Sequence, residues 1–386
     1  MLTFCRYRFQ HLCFQRYLIA VWRCLVLGLK RCGECVTGGR SVQMLGAGCA
    51  LHPGTISWAS PSSGFNQGLT LIPLERVCRR QRNAMPLSSQ FSGLTAQIET
   101  LQTVRAVGRV VAVKAGVVRV AGLSGQARIG DWISIQCARA DAISGEIVQL
   151  QDDLLVALPD AAPEGVALGD RVILLDSGTI APANGWIGRV IDPSGNPLDG
   201  RPLLRGPMAR PLRAPPPQAN DRRPLGARLD TGMAVTNTFL PIVRGQRVGL
   251  FAGSGVGKSS LLGHLAKHME ADVVVIAMIG ERGRELRHFI DGVMGAEGLK
   301  RTIVVTATSD QSPLQRRRCA WSAMAVAEHF RDQGKSVLFL ADSITRFAEA
   351  HREIAVAAGE APVLRGFPPS TSHLNGQEPA RRTKAI

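Results

Sequence analysis

The 386-residue sequence has no apolar run that crosses a bilayer comfortably. Its nearest approach, Tyr17–Leu29 (YLIAVWRCLVLGL), is thirteen residues long with Arg23 in the middle. A span needs about 20 apolar residues, and a central charge adds a further cost. The same run follows a basic stretch, as in a signal peptide, but no clear cleavage site comes after it. Cysteine is scarce beyond residue 84, where only Cys137 and Cys319 occur. The other seven (Cys5, Cys13, Cys24, Cys32, Cys35, Cys49 and Cys78) crowd the first 84 residues. A disulfide scaffold would spread its cysteines through the folded part, so this distribution points to a reducing compartment. Cys32 and Cys35 form a CxxC with no second CxxC and no His pair at zinc spacing, which argues against a metal site. Acid is also in short supply, with 30 Asp and Glu against 46 Lys and Arg and a formal charge of +16. Eleven of those cations, with two acids, lie in residues 1–84. The rest of the chain is only mildly basic, and basic charge alone does not establish nucleic-acid binding.

What is present divides at the same place. Apolar and charged fractions are ordinary for a globular protein, and the length allows two or three domains. Residues 36–84 show neither helical nor strand periodicity and are rich in Gly, Ser, Pro and Arg. Met85 opens a stretch, MPLSSQFSGLTAQIETLQ, that reads as the natural start of a cytoplasmic domain. The expectation is that translation begins at Met85 and that residues 1–84 are an unassigned extension.

From Arg105 to Leu175 the pattern is short, β-branched and interrupted by turns. Its apolar runs are Val107–Val113, Val117–Val120, Trp132–Gln136, Glu146–Gln151, Leu154–Leu158 and Arg171–Leu174. Ala115-Gly116, Gly130-Asp131 and Asp152-Asp153 separate several of them. Six short strands with tight connections predict a small antiparallel β-barrel over residues 98–176. After the Pro-rich connector Arg210–Pro217, strands and helices alternate. Strands are expected at Arg247–Ala252, Asp272–Ile279, Thr302–Ala307 and Ser336–Ala341, and helices at Lys258–His268, Arg284–Met294 and Pro313–Gln333. That alternation predicts an α/β fold over residues 177–370, a mostly parallel sheet covered on both faces.

The chemistry concentrates at the strand ends of this second part. Ala252-Gly253-Ser254-Gly255-Val256-Gly257-Lys258-Ser259, with Ser260 after it, joins a strand to a helix. Glycines let several backbone N–H groups face one point, and the helix N-terminus adds positive potential there. This is a P-loop with Ala252 where Gly is usual, a small departure if that residue keeps an ordinary φ. Lys258 would hold the β/γ-phosphates of ATP and the Ser259 hydroxyl would ligate Mg2+. Val337–Asp342 is an apolar strand ending in an acid, which places Asp342 at the ligand-binding edge of the sheet as a second metal residue. Glu281, in Gly280-Glu281-Arg282-Gly283-Arg284-Glu285, emerges on the same edge and is the best group to orient and polarise water. Arg282 would stabilise phosphate charge. Arg284 and Glu285 read as a solvated first helical turn, and Arg316-Arg317-Arg318 as a basic helix face.

Taken together, IGERGRE (Ile279–Glu285), ATSDQSPLQRRR (Ala307–Arg318), FRDQGKSVLFLADSITRFAEAHREI (Phe330–Ile354) and RGFPPS (Arg365–Ser370) resemble the flagellum-specific ATP synthases. These are the ATPases of the flagellar type III protein export apparatus, within the rotary ATP synthase alpha/beta subunit family. The resemblance covers residues 95 to 370. It implies an N-terminal barrel, a RecA-like ATP-binding domain and a C-terminal helical domain. It also implies a homohexamer with ATP sites between subunits, cytoplasmic and peripheral at the inner membrane, where an ATPase has access to ATP. Its partners would be the export gate, stator-like regulatory proteins, and exported flagellar subunits with their chaperones. Lys258, Ser259, Glu281, Arg282 and Asp342 match family positions with the roles given above. Injectisome export ATPases are close relatives; GFPPS and SDQSP favour the flagellar branch. The rho-type RNA helicases share the core, but their basic RNA-binding loops are not recognisable here, so no nucleic-acid partner is expected. After Ser370 the sequence reads TSHLNGQEPARRTKAI, a polar tail without periodicity, and the expected helical domain does not follow. With it go an arginine finger and an adenine-packing aromatic residue, so a nucleotide-binding module with little turnover is the alternative reading.

Overall fold

The computed structural model describes residues 35–37, 40–42, 91–99, 101–222, 224–253, 255–363 and 366–374. Most of the extension before Met85, Met85 itself, Ser254 of the P-loop and the tail beyond Leu374 lie outside the described residues. Contacts divide the chain into two units, 1–79 and 80–386. In the first, β1 (Cys35–Thr37) pairs antiparallel with β2 (Arg40–Val42). Everything below concerns the second.

Helix α1 (Ser92–Glu99) leads into six strands: β3 (Val107–Lys114), β4 (Val117–Ala121), β5 (Asp131–Gln136), β6 (Ile143–Gln151), β7 (Leu154–Pro159) and β8 (Arg171–Ser177). They close into an antiparallel barrel in the order β3-β4-β7-β6-β5-β8, as the turn-interrupted apolar runs predict. Period-2 alternation points Val110, Val118, Val120, Ile133, Ile135, Ile147, Leu155 and Val172 inward, all essentially buried. The β3–β4 turn uses Ala115 at φ 52° and Gly116 at φ 79°. Two successive positive φ values match the right-handed strand twist of a two-residue hairpin. The β6–β7 turn has a single positive value, at Asp152 (φ 44°).

A connecting region follows. It contains β9 (Thr179–Ile180), β10 (Val190–Ile191), β11 (Arg210–Pro211), β12 (Arg228–Leu229), α2 (Ala234–Phe239) and β13 (Ile242–Val243). The nucleotide-core elements are α3 (Lys258–His268), β14 (Val273–Glu281), α4 (Gly283–His288), a π-helical turn at Phe289–Met294, α5 (Gly295–Leu299), β15 (Thr302–Thr308), α6 (Pro313–Asp332), β16 (Val337–Asp342) and α7 (Ile344–Ala357). The sheet runs β10-β15-β14-β16, and every pairing in it is parallel. Strand β14 is buried on both sides. Val273, Val275, Ala277 and Ile279 join the core under α6 and α7, while Val274, Ile276 and Met278 join the core under α3. A continuous apolar run, without alternation, is what a strand covered by helices on both faces requires.

One expected strand does not form. Residues 247–253, before the P-loop, have no regular structure, and Phe251 is 97% exposed. The reason lies just upstream. Strand β13 pairs with β12 in a two-residue ribbon, and the chain leaves it through Gly245 at φ 82°. The Gln246 side chain accepts the Val243 N–H at 2.9 Å and closes that turn. The segment therefore runs beside β16, which hydrogen-bonds only to β14, and a groove of about 260 Å³ separates them. The expected helix over Arg284–Met294 is likewise interrupted, passing into the π turn at Phe289. The tail, read as irregular from Thr371, is helical at 369–374, with Thr371 buried.

Candidate active site

Helix α3 begins at Lys258 behind Gly255 (φ 79°) and Gly257 (φ 93°), which take left-handed conformations that a side chain would strain. The first helical hydrogen bond runs from Leu261 N–H to the Gly257 carbonyl. The N–H groups of Lys258, Ser259 and Ser260 therefore have no partner within the helix and face forward, where an anion is favoured. Ala252, Gly253, Gly255, Val256, Gly257, Ser259 and Ser260 are all exposed along this loop and first turn. No atom lies within 4 Å of a Cβ built on Gly253, Gly255 or Gly257, so the approach to the loop is open.

Lys258 reaches across the sheet edge. Its Nζ lies 2.7 Å from Asp342 Oδ1, and Asp342, at the end of β16, is 3% exposed. A buried carboxylate facing one ammonium is the chemistry needed at the metal side of a P-loop. Glu281 ends the neighbouring strand β14. Burial, a hydrogen bond with Glu285 and the nearby Asp342 carboxylate push its carboxyl up to about 7, against the pull of Lys258. The structure thus brings Lys258, Asp342 and Glu281 together at one end of the parallel strands. Arg282 stands apart from them, its side chain 80% exposed and paired with Glu285 at 3.7 Å.

One reading holds and one changes. Arg284 and Glu285 are exposed in the first turn of α4, as expected, although Glu285 also bonds Glu281 and pairs with Arg282. Arg316, Arg317 and Arg318 are not a solvated basic face. Arg317 and Arg318 are 4% and 1% exposed, because α6 is enclosed by the sheet, α7 and the barrel. Each arginine serves a different element: Arg316 pairs with Glu353 of α7, Arg317 with Glu146 of β6, and Arg318 with Asp160 just after β7.

The residues fit a nucleoside triphosphate with a divalent cation. Free N–H groups and Lys258 suit phosphate oxygens, and the hard oxygen donors Ser259 and Asp342 suit a hard metal ion. Comparison with known proteins agrees with that chemistry. Residues 232–381 match the model of the ATP synthase alpha/beta family, nucleotide-binding domain. Over 279 residues the chain is 42% identical to the flagellum-specific ATP synthase of Caulobacter vibrioides, covering 72% of this chain and 63% of that protein. The assembled ATPase EscN, solved with its central stalk EscO from the enteropathogenic E. coli type III secretion system, superposes with a TM-score of 0.65 at 34% identity. That likeness covers 71% of this chain and 67% of EscN.

The chain belongs to the ATP synthase alpha/beta family. Its barrel and parallel-sheet core are the architecture of this alpha/beta member, and the chain spans less than two thirds of the curated relatives it matches. The flagellum-specific ATP synthase of Aquifex aeolicus is 44% identical over 56% of its length. The type 3 secretion system ATPase of Xanthomonas euvesicatoria is 40% identical over 63% of its length. Both branches of export ATPase are therefore among its similar proteins.

Proposed function

We propose that this alpha/beta family member is an ATPase of a type III protein export apparatus, of the flagellar branch, converting ATP to ADP and phosphate. The observation that carries the reading is the Lys258–Asp342 pair at the head of α3 with Glu281 beside it. The N–H groups of residues 255–260 and the Lys258 ammonium would hold the β- and γ-phosphates. Ser259 and Asp342 would hold Mg2+, which when bound neutralises charge on the phosphate oxygens. Lys258, which pairs with Asp342 at 2.7 Å, would exchange that carboxylate for a γ-phosphate oxygen. Glu281, with a carboxyl near 7, would accept a hydrogen bond from the attacking water and orient it. Arg282, exposed on its loop, would steady charge on the leaving phosphate. The reading extends to a homohexamer working on the cytoplasmic side of the inner membrane, with export-gate, stator-like and cargo partners; the assembled state of EscN with its central stalk EscO supports assembly with a partner. Among the described residues no helix is long and apolar enough to cross a membrane.

The test is ATP hydrolysis and binding of a fluorescent ATP analogue by the 386-residue chain and by Lys258→Ala. A fall in turnover of about 10²-fold or more, with weakened analogue binding, is expected for the variant. Equal, near-background hydrolysis with retained analogue binding in both would leave a nucleotide-binding module without turnover. Complementation of a flagellar and of an injectisome export-ATPase deletion by the corresponding full-length gene separates the two branches.

A further inference from the structure

A second cavity lies away from the P-loop, where β6 of the barrel meets α6, α7 and the segment after β11. It encloses about 370 Å³. Its apolar wall includes Ile129, Val148 and Ile354, and its polar end is built from Arg213, Arg317 and Glu146. Glu146, 3% exposed at its side chain, is shared by three guanidinium groups. Arg317 donates to its Oε1 at 2.7 Å, Arg213 to the same oxygen at 3.0 Å, and Arg318 to Oε2 at 3.4 Å. Asp160 takes one further bond, from Arg318. Three cations therefore face two carboxylates.

The surplus charge has an address. Arg318 is satisfied at both ends by Glu146 and Asp160. Arg317 has one carboxylate only: its side chain is 5% exposed, its Nη2 goes to Glu146 and its Nη1 meets His351 Nδ1 at 3.5 Å, while the Nε of both arginines makes no hydrogen bond among the described residues. Burial and the neighbouring Arg213 and Arg318 charges pull its guanidinium down to about 10, with Glu146 opposing them. Among the described residues Arg213 makes a single hydrogen bond, to Glu146, and its side chain is 48% exposed. Both guanidinium groups lie over the Trp321 ring, at 4.4 and 4.7 Å from its centroid. That stacking fixes their planes and leaves their edges free to hydrogen-bond a planar anion. Glu360 also lines the cavity, but its carboxylate oxygens are engaged by Ser370, accepting its N–H at 3.0 Å and its hydroxyl at 2.6 Å, and neither arginine pairs with it.

We propose that this cavity is a second ligand site, for a small organic monoanion: a carboxylate held by Arg213 and Arg317 on a compact apolar body lying against Trp321, Ile129 and Ile354. A planar carboxylate suits paired guanidinium edges, through charge-assisted hydrogen bonds that a neutral group cannot match. The cavity has the size of a small-molecule site, and its mixed lining of apolar wall and convergent polar groups is what such sites require. The site is built from barrel and core together, so its occupant binds at the junction of two parts of one chain.

The test uses the 386-residue chain with 1-naphthoate and its neutral amide, 1-naphthamide, followed by isothermal titration and saturation-transfer NMR. Naphthoate is expected to bind one-to-one, with the amide at least about tenfold weaker, because only the acid forms charge-assisted bonds. Arg213→Ala should weaken naphthoate at least about tenfold. Ile129→Trp, which fills the apolar end from a position 60% exposed, should abolish binding and serves if the arginine variant fails to fold. Saturating ATP should leave naphthoate binding unchanged, which keeps this site distinct from the P-loop. No binding of naphthoate, equal affinity for acid and amide, unchanged affinity in both variants, or displacement by ATP would each overturn the proposal.

Discussion

Glu281 and His351 show how the same burial has opposite consequences for an acid and a base. Burial raises the Glu281 carboxyl to about 7, which makes it a competent proton acceptor near neutral pH. Glu281→Gln keeps the shape and the hydrogen-bonding reach but cannot accept a proton. Hydrolysis should fall by about 10²–10⁴-fold while binding of an ATP analogue is retained, as fluorescence titration will check. Loss of both together would remove Glu281 from the reaction and make it a structural residue. His351 is pulled down to about 4, by burial first and the Arg317 charge second, with Glu360 opposing. Its Nε2 meets Ser370 Oγ at 2.8 Å, and that hydroxyl donates to Glu360, so Nε2 carries the hydrogen and Nδ1 faces Arg317. The folded chain thus binds this proton less readily than the unfolded chain, whose His titrates near 6.5. The neutral form is fully present above about 6.5, and stability is lost as pH falls from there toward 4. Urea midpoints measured between pH 7 and pH 4 should drop, and His351→Gln should flatten part of that drop. An unchanged slope in the variant would reject the assignment.

At the scale of elements, α6 owes its start to two residues. Ser312 accepts the Gln315 N–H at 3.2 Å through its hydroxyl, and Pro313 takes the first helical position, where no N–H is needed. Ser312→Ala should cost about 1 kcal/mol in chemical denaturation, without altering the m-value. The start of α6 at Pro313 was legible in the sequence, and so were the six barrel strands, because local periodicity and turn residues decide both. Two things were not legible. The apolar stretch at 247–252 reads as a buried strand, yet the turn at Gly245 steers it off the β16 edge. Strand propensity says nothing about where the preceding turn aims the chain. The three arginines of α6 read as a wet face because composition cannot reveal that a barrel from 170 residues upstream supplies Glu146. At the active site, Lys258, Glu281 and Asp342 were legible because each lies at the end of a strand or the head of a helix in one parallel sheet.

At the scale of the molecule, a charged cluster links the barrel to the nucleotide core beside Trp132 of β5, which packs against that core. Arg317 and Arg318 leave α6 for Glu146 and Asp160, and Arg318 also stacks on Trp132 of β5 at 4.3 Å. Such a cluster is a poor source of net stability, because desolvation offsets most of its attraction, but it is unforgiving of the loss of one member. Glu146→Ala strands Arg317 without its anion inside the protein and should destabilise the chain by about 3–5 kcal/mol in urea denaturation. Arg318 keeps Asp160, and Arg213 can turn to solvent, so the penalty falls mainly on Arg317. It follows that Glu146→Leu combined with Arg317→Met should be more stable than Glu146→Ala alone, since the second change removes the stranded charge. If the double variant is instead the weaker of the two, the packing of Arg317 on Trp321 carries the junction, and the charge of Glu146 matters less than the ring contact it positions.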